Sequence, residues 1–282
     1  MSADRLGFLH IHVLDALYRE GAATALGLVF QGGTALHLGY GSPRRSEDLD
    51  LLVRRSEATA EALNTLMNRA HDRVRQAALL QYGSDDLQLK VNARNPRGHN
   101  PAVFEFRLTG ATPAEPHAVL KVEFFAVEPE VLNRYGRGPR SLRSPLYPHL
   151  SPVAPVASLQ EILLDKIHAL GGRRYLKYRD VFDLWWLQQS AGLPLTPEAF
   201  ANFPTHRAMY TDASEPSALA AAAVGRLATA NPADMRRELV RFLPEGLLDD
   251  TSLAAMIEAA RTACAAFAHA MTPPPAARRK PR

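Results

Sequence analysis

The stretch FQGGTALHLGYGSPRRSEDLDLLV, residues 30–53, decides the fold. An apolar run, LGLVFQ (26–31), reads as a buried strand and halts at Gly32-Gly33-Thr34. A short helix to about Gly39 follows, then the loop GSPRR, then a second strand, DLDLLV (48–53). Successive side chains of a strand point to opposite faces, so Asp48 and Asp50 share one face while Leu49 and Leu51 pack on the other. Two like charges that close together resist burial, and a cation is needed between them.

Working outward, residues 6–22 carry apolar residues at helical spacing and predict an opening amphipathic helix. Residues 56–80 predict a helix with Ser56 as N-cap. Three β-type runs follow at 87–93, 102–108 and 118–127. The Pro- and Ser-rich segment 138–156 reads as an irregular connection. Beyond it the pattern turns helical. SLQEILLDKIHALGG (158–172) has Ser158 and Glu161 in capping-box spacing and Gly171-Gly172 at its end. YRDVFDLWWLQQS (178–190) is a second helix, with further helices near 197–203, 216–229, 232–243 and 251–270. The expected layout is an α/β domain over 1–150, a helical C-terminal domain over 151–272 and a disordered basic tail over 273–282.

Composition narrows the class. The chain of 282 residues is 46% hydrophobic and 22% charged, as ordinary globular proteins are. No apolar run is long enough to span a bilayer, the N-terminus shows no signal-peptide pattern, and the single cysteine excludes an internal disulfide. A cytoplasmic protein with no membrane partner is expected. A net charge of +4 and a pI near 9.3 suit a nucleotide or nucleic-acid partner. Only five of the 33 basic residues are Lys (90, 121, 166, 177 and 280), so a retained Lys suggests a need for a compact ammonium. Cys264 and the Trp185-Trp186 pair read as core, and His10 and His12 as structural.

The chemistry rests on residue types in the opening stretch. A strand ending in Gly-Gly-Thr before a helix offers free N–H groups and a hydroxyl to a phosphate. A tight strand-to-helix turn with no ligand would use the same glycines. Paired Asp48 and Asp50 can hold Mg²⁺ or Mn²⁺, which bridges the phosphates of a nucleoside triphosphate. The alternative is a solvated strand edge held by Arg44 and Arg45.

Gly-Gly-Thr followed by Arg-x-Ser-x-Asp-x-Asp resembles the signature of the polymerase-β-type nucleotidyltransferase superfamily. More narrowly, GGTALHLGYGSPRRSEDLDLLV is similar to the AbiEii toxin family, which includes the mycobacterial MenT toxins. LLDKIHALGGRRYLKYRDVFDLWWL resembles the family's second signature. The resemblance implies an α/β, polymerase-β-like nucleotidyltransferase core with a helical C-terminal domain. It implies that Gly33 and Thr34 hold triphosphate oxygens, with Arg45 and Ser46 assisting, and that Asp48 and Asp50 hold metal. It carries activity to Lys166 and Asp180, with Asp183 as the fallback acid. Glu123, in LKVEFF, is a candidate third metal ligand; a Lys121–Glu123 surface pair is the equal alternative.

Lys166 also reads from its own surroundings. It falls at helical spacing from Ile162, Leu163 and Leu170, so its stem runs along an apolar seam and its ammonium needs an anionic partner. Asp180 and Asp183 share a face of the next helix, and a structural ion pair between the two helices is the bland reading.

The resemblance implies a toxin of a type IV-like toxin–antitoxin system, with a cognate antitoxin, that transfers NMP from an NTP to the 3′ acceptor end of tRNA. Arg173, Arg174, Lys177 and Arg179 are then candidate tRNA phosphate contacts. Two alternatives stand: a nucleotidyltransferase acting on a protein or small molecule, and a non-catalytic nucleotide-binding regulator.

Overall fold

The computed structural model describes residues 2–19, 21–84, 86–91, 102–109, 117–209 and 215–272. The expected tail, 273–282, lies outside the described residues. The chain forms two compact units: Met1–Ile162 with Thr205–Thr211, and Leu163–Pro204 with Asp212–Arg282.

The first unit opens with α1 (Ser2–Arg19), α2 (Ala22–Leu26), β1 (Val29–Gln31), α3 (Gly32–Tyr40), β2 (Asp48–Arg54) and α4 (Ala60–Tyr82). It continues with β3 (Leu87–Val91), β4 (Ala102–Leu108), β5 (Ala118–Val127), α5 (Pro129–Arg134), β6 (Arg137–Ser141) and β7 (Val153–Ala157). The strands form one seven-stranded mixed sheet in the order β3-β4-β5-β2-β1-β7-β6. β2 runs antiparallel to β1 and parallel to β5.

Alternation along the strands separates the faces. Leu49, Leu51, Val122, Phe124, Phe104 and Phe106 are buried, in one core with Phe8, Leu9 and Ile11 of α1 and Leu63, Leu66 and Met67 of α4. The intervening positions, Asp48, Asp50, Lys121 and Glu123, stand on the opposite face and are half-buried or exposed. Burying the apolar set fixes the register, because a one-residue slip would drive the acids into the core.

Three local expectations are corrected. The first strand is shorter than 26–31, because α2 fills 22–26 and Gly27, at φ +65°, turns the chain before Val29. Thr59 rather than Ser56 caps α4, its Oγ1 accepting from Ala62 N at 3.1 Å. The segment 138–156 is not wholly irregular: β6 and β7 pair antiparallel within it. Its prolines hid them. Pro139 on the edge strand lies opposite Pro155, so two missing donors fall on one rung and little of the ladder is lost.

The second unit is helical. The division falls inside α6 (Leu159–Gly172), and α7 (Tyr178–Gln189), α9 (Pro216–Ala228), α10 (Pro232–Leu239) and α11 (Asp250–Met271) follow; the one-turn α8 (Phe203–Arg207) is also divided, Thr205 onward belonging to the first unit. α11 turns Leu253, Met256, Ala260, Cys264 and Phe267 inward and packs on α7 and α9. Asp249 caps its start, accepting from Ser252 N at 2.9 Å. Cys264 is buried, and burial pushes its thiol up to about 12. Burial likewise pushes His10 and His12 of α1 down to about 4, as expected of uncharged structural histidines. Trp186 is buried, and the half-buried Trp185 lies tilted against Phe182, ring centres 5.5 Å apart.

Candidate functional site

The site in the first unit is built where β1 turns into α3. Gly32 has φ +78°, a left-handed conformation that L side chains resist. A methyl group there would also overlap the Asp50 carboxylate, which lies against the glycine's α-carbon. At Gly33 a methyl group would meet the Arg44 guanidinium and come within 3.1 Å of Ser46 Oγ. Glycine at both positions therefore lets β2 and the Arg44–Ser46 loop close onto the first turn of α3. Gln31, the N-cap residue, makes no capping bond with its side chain; its Oε1 accepts from the Tyr135 hydroxyl at 3.0 Å instead. The Gln31 side chain thus leaves the first turn of α3 uncapped from its own N-cap position, and the helix dipole favours an anion beside it.

Asp48 and Asp50 stand on the sheet face opposite the core. Strand register gives Asp50 two neighbours, Gln31 on β1 and Glu123 on β5. Asp48 is level with Lys121, which is level in turn with Glu105 on β4. In-register neighbours bring their Cβ atoms within about 5.5 Å. Asp48, Asp50 and Glu123 therefore share one patch of sheet beside the α3 N-terminus. Lys121 makes no ion pair with Glu123 or any other described acid.

Among the described residues, no three His, Cys, Asp or Glu side chains are grouped as a metal cluster. The donor set still suits a hard cation. Mg²⁺ commonly takes only one or two carboxylates, completing its shell with water and substrate phosphate. Asp48 and Asp50 meet that requirement without a third acid.

Two predicted residues are placed differently from their expected roles. Thr34 is fully buried, and its hydroxyl donates to the Asp48 carbonyl at 2.5 Å. The hydroxyl thus ties α3 to the head of β2, and only the backbone of Thr34 is left to face an anion. Arg45 is exposed, whereas Arg44 is buried and donates to the Arg45 carbonyl at 3.0 Å. Arg44 is the arginine seated over Gly33, and sequence alone could not rank two adjacent arginines. His37 reports the field: burial holds it below the usual imidazole range, opposed by a hydrogen bond to the Ser42 backbone, with Arg45 and Arg44 lowering it further.

A buried polar chain supports Gln31 from behind. Tyr135 stacks on His206 with ring centres 6.2 Å apart. His206 Nδ1 lies 3.1 Å from Glu161 Oε2, and Glu161 Oε1 accepts from Gly136 N at 3.0 Å. The capping-box expectation is half met. Ser158 Oγ accepts from Glu161 N at 3.3 Å, but Ser158 N donates to the Gly136 carbonyl and the Glu161 carboxylate is turned to Gly136 and His206. Capping spacing is visible in sequence; a partner 45 residues away is not.

The second unit holds the other predicted cluster. Lys166 Nζ lies 3.1 Å from Asp180 Oδ1 and 2.9 Å from Asp183 Oδ2. The side chains are 11%, 4% and 0% exposed, so these charges can coexist only as a matched set. Arg173 also pairs with Asp180, which draws it away from the role of a free phosphate contact. Arg174 is exposed, Lys177 lies over the Tyr175 ring at 5.8 Å, and Arg179 over Phe242 at 5.1 Å. The expectation of an anionic partner for Lys166 holds, and both candidate acids supply it.

A mixed sheet with paired acids beside a Gly-Gly helix start, followed by a helical region, is a polymerase-β-like nucleotidyltransferase core with a helical C-terminal region. The family described as "Nucleotidyl transferase AbiEii toxin, Type IV TA system" matches residues 15–277. The chain belongs to that family of nucleotidyltransferase toxins. Two solved structures share the fold. MenT4, a nucleotidyltransferase toxin from Mycobacterium tuberculosis H37Rv, is 18% identical with a TM-score of 0.53, over 94% of this chain and 84% of that one. JHP933 from Helicobacter pylori is 16% identical with a TM-score of 0.51, over 93% and 92%. No curated protein matches the chain. No helix among the described residues is long and apolar enough to cross a membrane.

Proposed function

We propose that the chain is a metal-dependent nucleotidyltransferase toxin that moves NMP from an NTP to the 3′ acceptor end of tRNA and so blocks translation. One observation carries the chemistry: Asp48 and Asp50 share a sheet face, with Asp50 seated against Gly32 at the start of α3. The tRNA acceptor is what the motif resemblance implies, and the basic balance of the chain supports it.

The residues divide the work as follows. The N–H groups of Gly33 and Thr34 receive triphosphate oxygens, helped by the dipole of α3. Ser46 orients the same phosphates by hydrogen bonding, and Arg44, with Arg45 at the rim, offsets their charge. Asp48 and Asp50 hold Mg²⁺ or Mn²⁺, which when bound neutralises phosphate charge. Glu123, beside Asp50, keeps the local field negative and so favours a cation there. Lys166, held by Asp180 and Asp183, is assigned to stabilise negative charge building on the phosphates. An acceptor hydroxyl attacks the α-phosphorus in line, and pyrophosphate leaves. The chemistry is mainly positioning and charge stabilisation, which these groups can supply.

The test is incubation of the purified chain with each α-labelled NTP and total tRNA, with and without a chelator. Label at tRNA 3′ ends that disappears with chelation and with Asp50→Ala supports the reading. Label on protein alone would replace tRNA as the acceptor, and label unaffected by Asp50→Ala would refute the site. A toxin of this family implies a cognate antitoxin, so co-expressed antitoxin should relieve growth arrest.

A further inference from the structure

A second feature of the first unit lies at the other end of α3. A groove of about 1040 Å³ opens between the last turn of α3, the loop at Gly41–Pro43, β6 and the segment 143–151. That volume is at or above the top of the range for small-molecule pockets, roughly 300–1,000 Å³. It suits a stretch of an extended polymer.

The charged side chains of the lining are Arg140 and Arg143, with no carboxylate among them; His37, held below the usual imidazole range, adds a neutral ring. Neither guanidinium pairs with an acid among the described residues. Arg140 stacks on the Tyr40 ring at 3.9 Å, and both border the groove. An arginine flat on an aromatic ring presents a planar cationic surface, the kind on which an unpaired base stacks. The exposed Ser141 and Ser151, their hydroxyls 2.6 Å apart, add a polar rim.

A helix C-terminus normally repels an anion through its exposed carbonyls. Here three carbonyls near that end are engaged. Leu36 O accepts from Ser42 N at 3.0 Å, His37 O from Gly41 N at 3.1 Å and Leu38 O from Arg143 N at 2.9 Å. The N–H of Arg143 thus closes the helix end while its side chain borders the groove. α3 spans nine residues, so at 1.5 Å per residue its ends are about 13 Å apart. Its first turn is the proposed triphosphate seat and its last turn is the groove wall.

We propose that this groove binds the single-stranded 3′-terminal segment of the RNA acceptor, with Arg140 and Arg143 on its phosphates and the Arg140–Tyr40 stack under a base. The proposal rests on the nucleotidyl-transfer reading, for which it supplies an acceptor track distinct from the triphosphate seat.

Binding of a fluorescein-labelled single-stranded oligoribonucleotide to the full chain, followed by anisotropy across roughly 50–200 mM salt, tests it, with NTP binding measured on the same preparations. Arg140→Ala with Arg143→Ala should reduce the log–log salt slope by about 1.4, at about 0.7 per lost phosphate contact. At 0.1 M salt that corresponds to roughly 25-fold weaker binding. NTP affinity should not change, and Arg140→Lys with Arg143→Lys should restore the slope, which a folding defect would not permit. An unchanged slope in the Ala variant overturns the groove assignment while leaving nucleotidyl transfer intact. No oligoribonucleotide binding by an unaltered chain that binds NTP does the same. An unaltered chain that binds no NTP overturns both.

Discussion

Replacing Gly32 by Ala should cost far more activity than stability. The backbone at Gly32 has φ +78°, a region that costs an L-residue about 1–2 kcal/mol. Part of this is returned, because Ala lowers the entropy of the unfolded chain by about 0.4–1 kcal/mol. The net loss, about 1 kcal/mol, leaves a domain of ordinary stability (about 5–15 kcal/mol) almost entirely folded. The methyl group, however, would stand on the Asp50 carboxylate, 3.0 Å from its Cγ and 3.2 Å from its Cβ. Asp50 would have to retreat by about 1 Å, a misplacement at which catalytic rates fall roughly 10²-fold. Gly83 is the control: its φ is +67° and nothing lies within 4 Å of an added methyl group. Gly83→Ala carries the backbone strain without the collision. Urea unfolding and the initial rate of labelled-NMP transfer should be measured for both. Similar stability losses, with transfer lost only in Gly32→Ala, are expected. Transfer by Gly32→Ala at the rate of the unaltered chain, or an equal loss in Gly83→Ala, would refute the reasoning.

Two further predictions follow from buried charge. Lys166→Met removes the cation beside Asp183, whose side chain is fully buried, and should cost about 3–5 kcal/mol in urea unfolding. Adding Asp183→Asn should recover part of that stability but no transfer activity; recovered activity would make Lys166 a structural tie only. Burial pushes His10 from 6.5 down to about 4, so between those pH values the unfolded chain binds more protons than the folded one. Stability should therefore rise with pH through this window and be lost as pH falls, by roughly 3 kcal/mol for that shift. His10→Gln should flatten the profile between pH 7 and 4 in chemical-denaturation midpoints, and an equally steep profile would disprove the assignment.

The parts of this protein legible in its sequence are those that local physics determines. Alternation in DLDLLV and LKVEFF put Asp48, Asp50 and Glu123 on the outward face, and the register of β2 with β5 keeps them there. The Gly-Gly break before α3 was readable because few other residues tolerate that corner. What escaped depended on tertiary neighbours. β6 and β7 were hidden because Pro139 and Pro155 look like loop residues until they are seen facing each other across one rung. Thr34 looked like a phosphate donor, but its hydroxyl lies within 2.5 Å of the Asp48 carbonyl, contributed by a strand 14 residues on. Arg44 and Arg45 are equivalent in sequence, and only the fold buries one of them over Gly33.

The Lys166 cluster explains why the sequence could not choose between Asp180 and Asp183. The two acids are one turn apart on α7, and a single ammonium lies within 3.1 Å of a carboxylate oxygen of each. A lysine between two carboxylates, one of them also paired with Arg173, is a network near neutrality. In the proposed role, that cation is fixed in place before a ligand arrives. A fixed ammonium costs little reorganisation when phosphate charge develops, which is how a preorganised site lowers a barrier. The same pairing would hold two helices together in a purely structural protein. The difference lies in the charge left when one acid is removed. In the catalytic reading, Asp183→Asn leaves Lys166 charged and still held by Asp180. Transfer should then fall less than with Lys166→Met, although both variants disturb the same buried cluster.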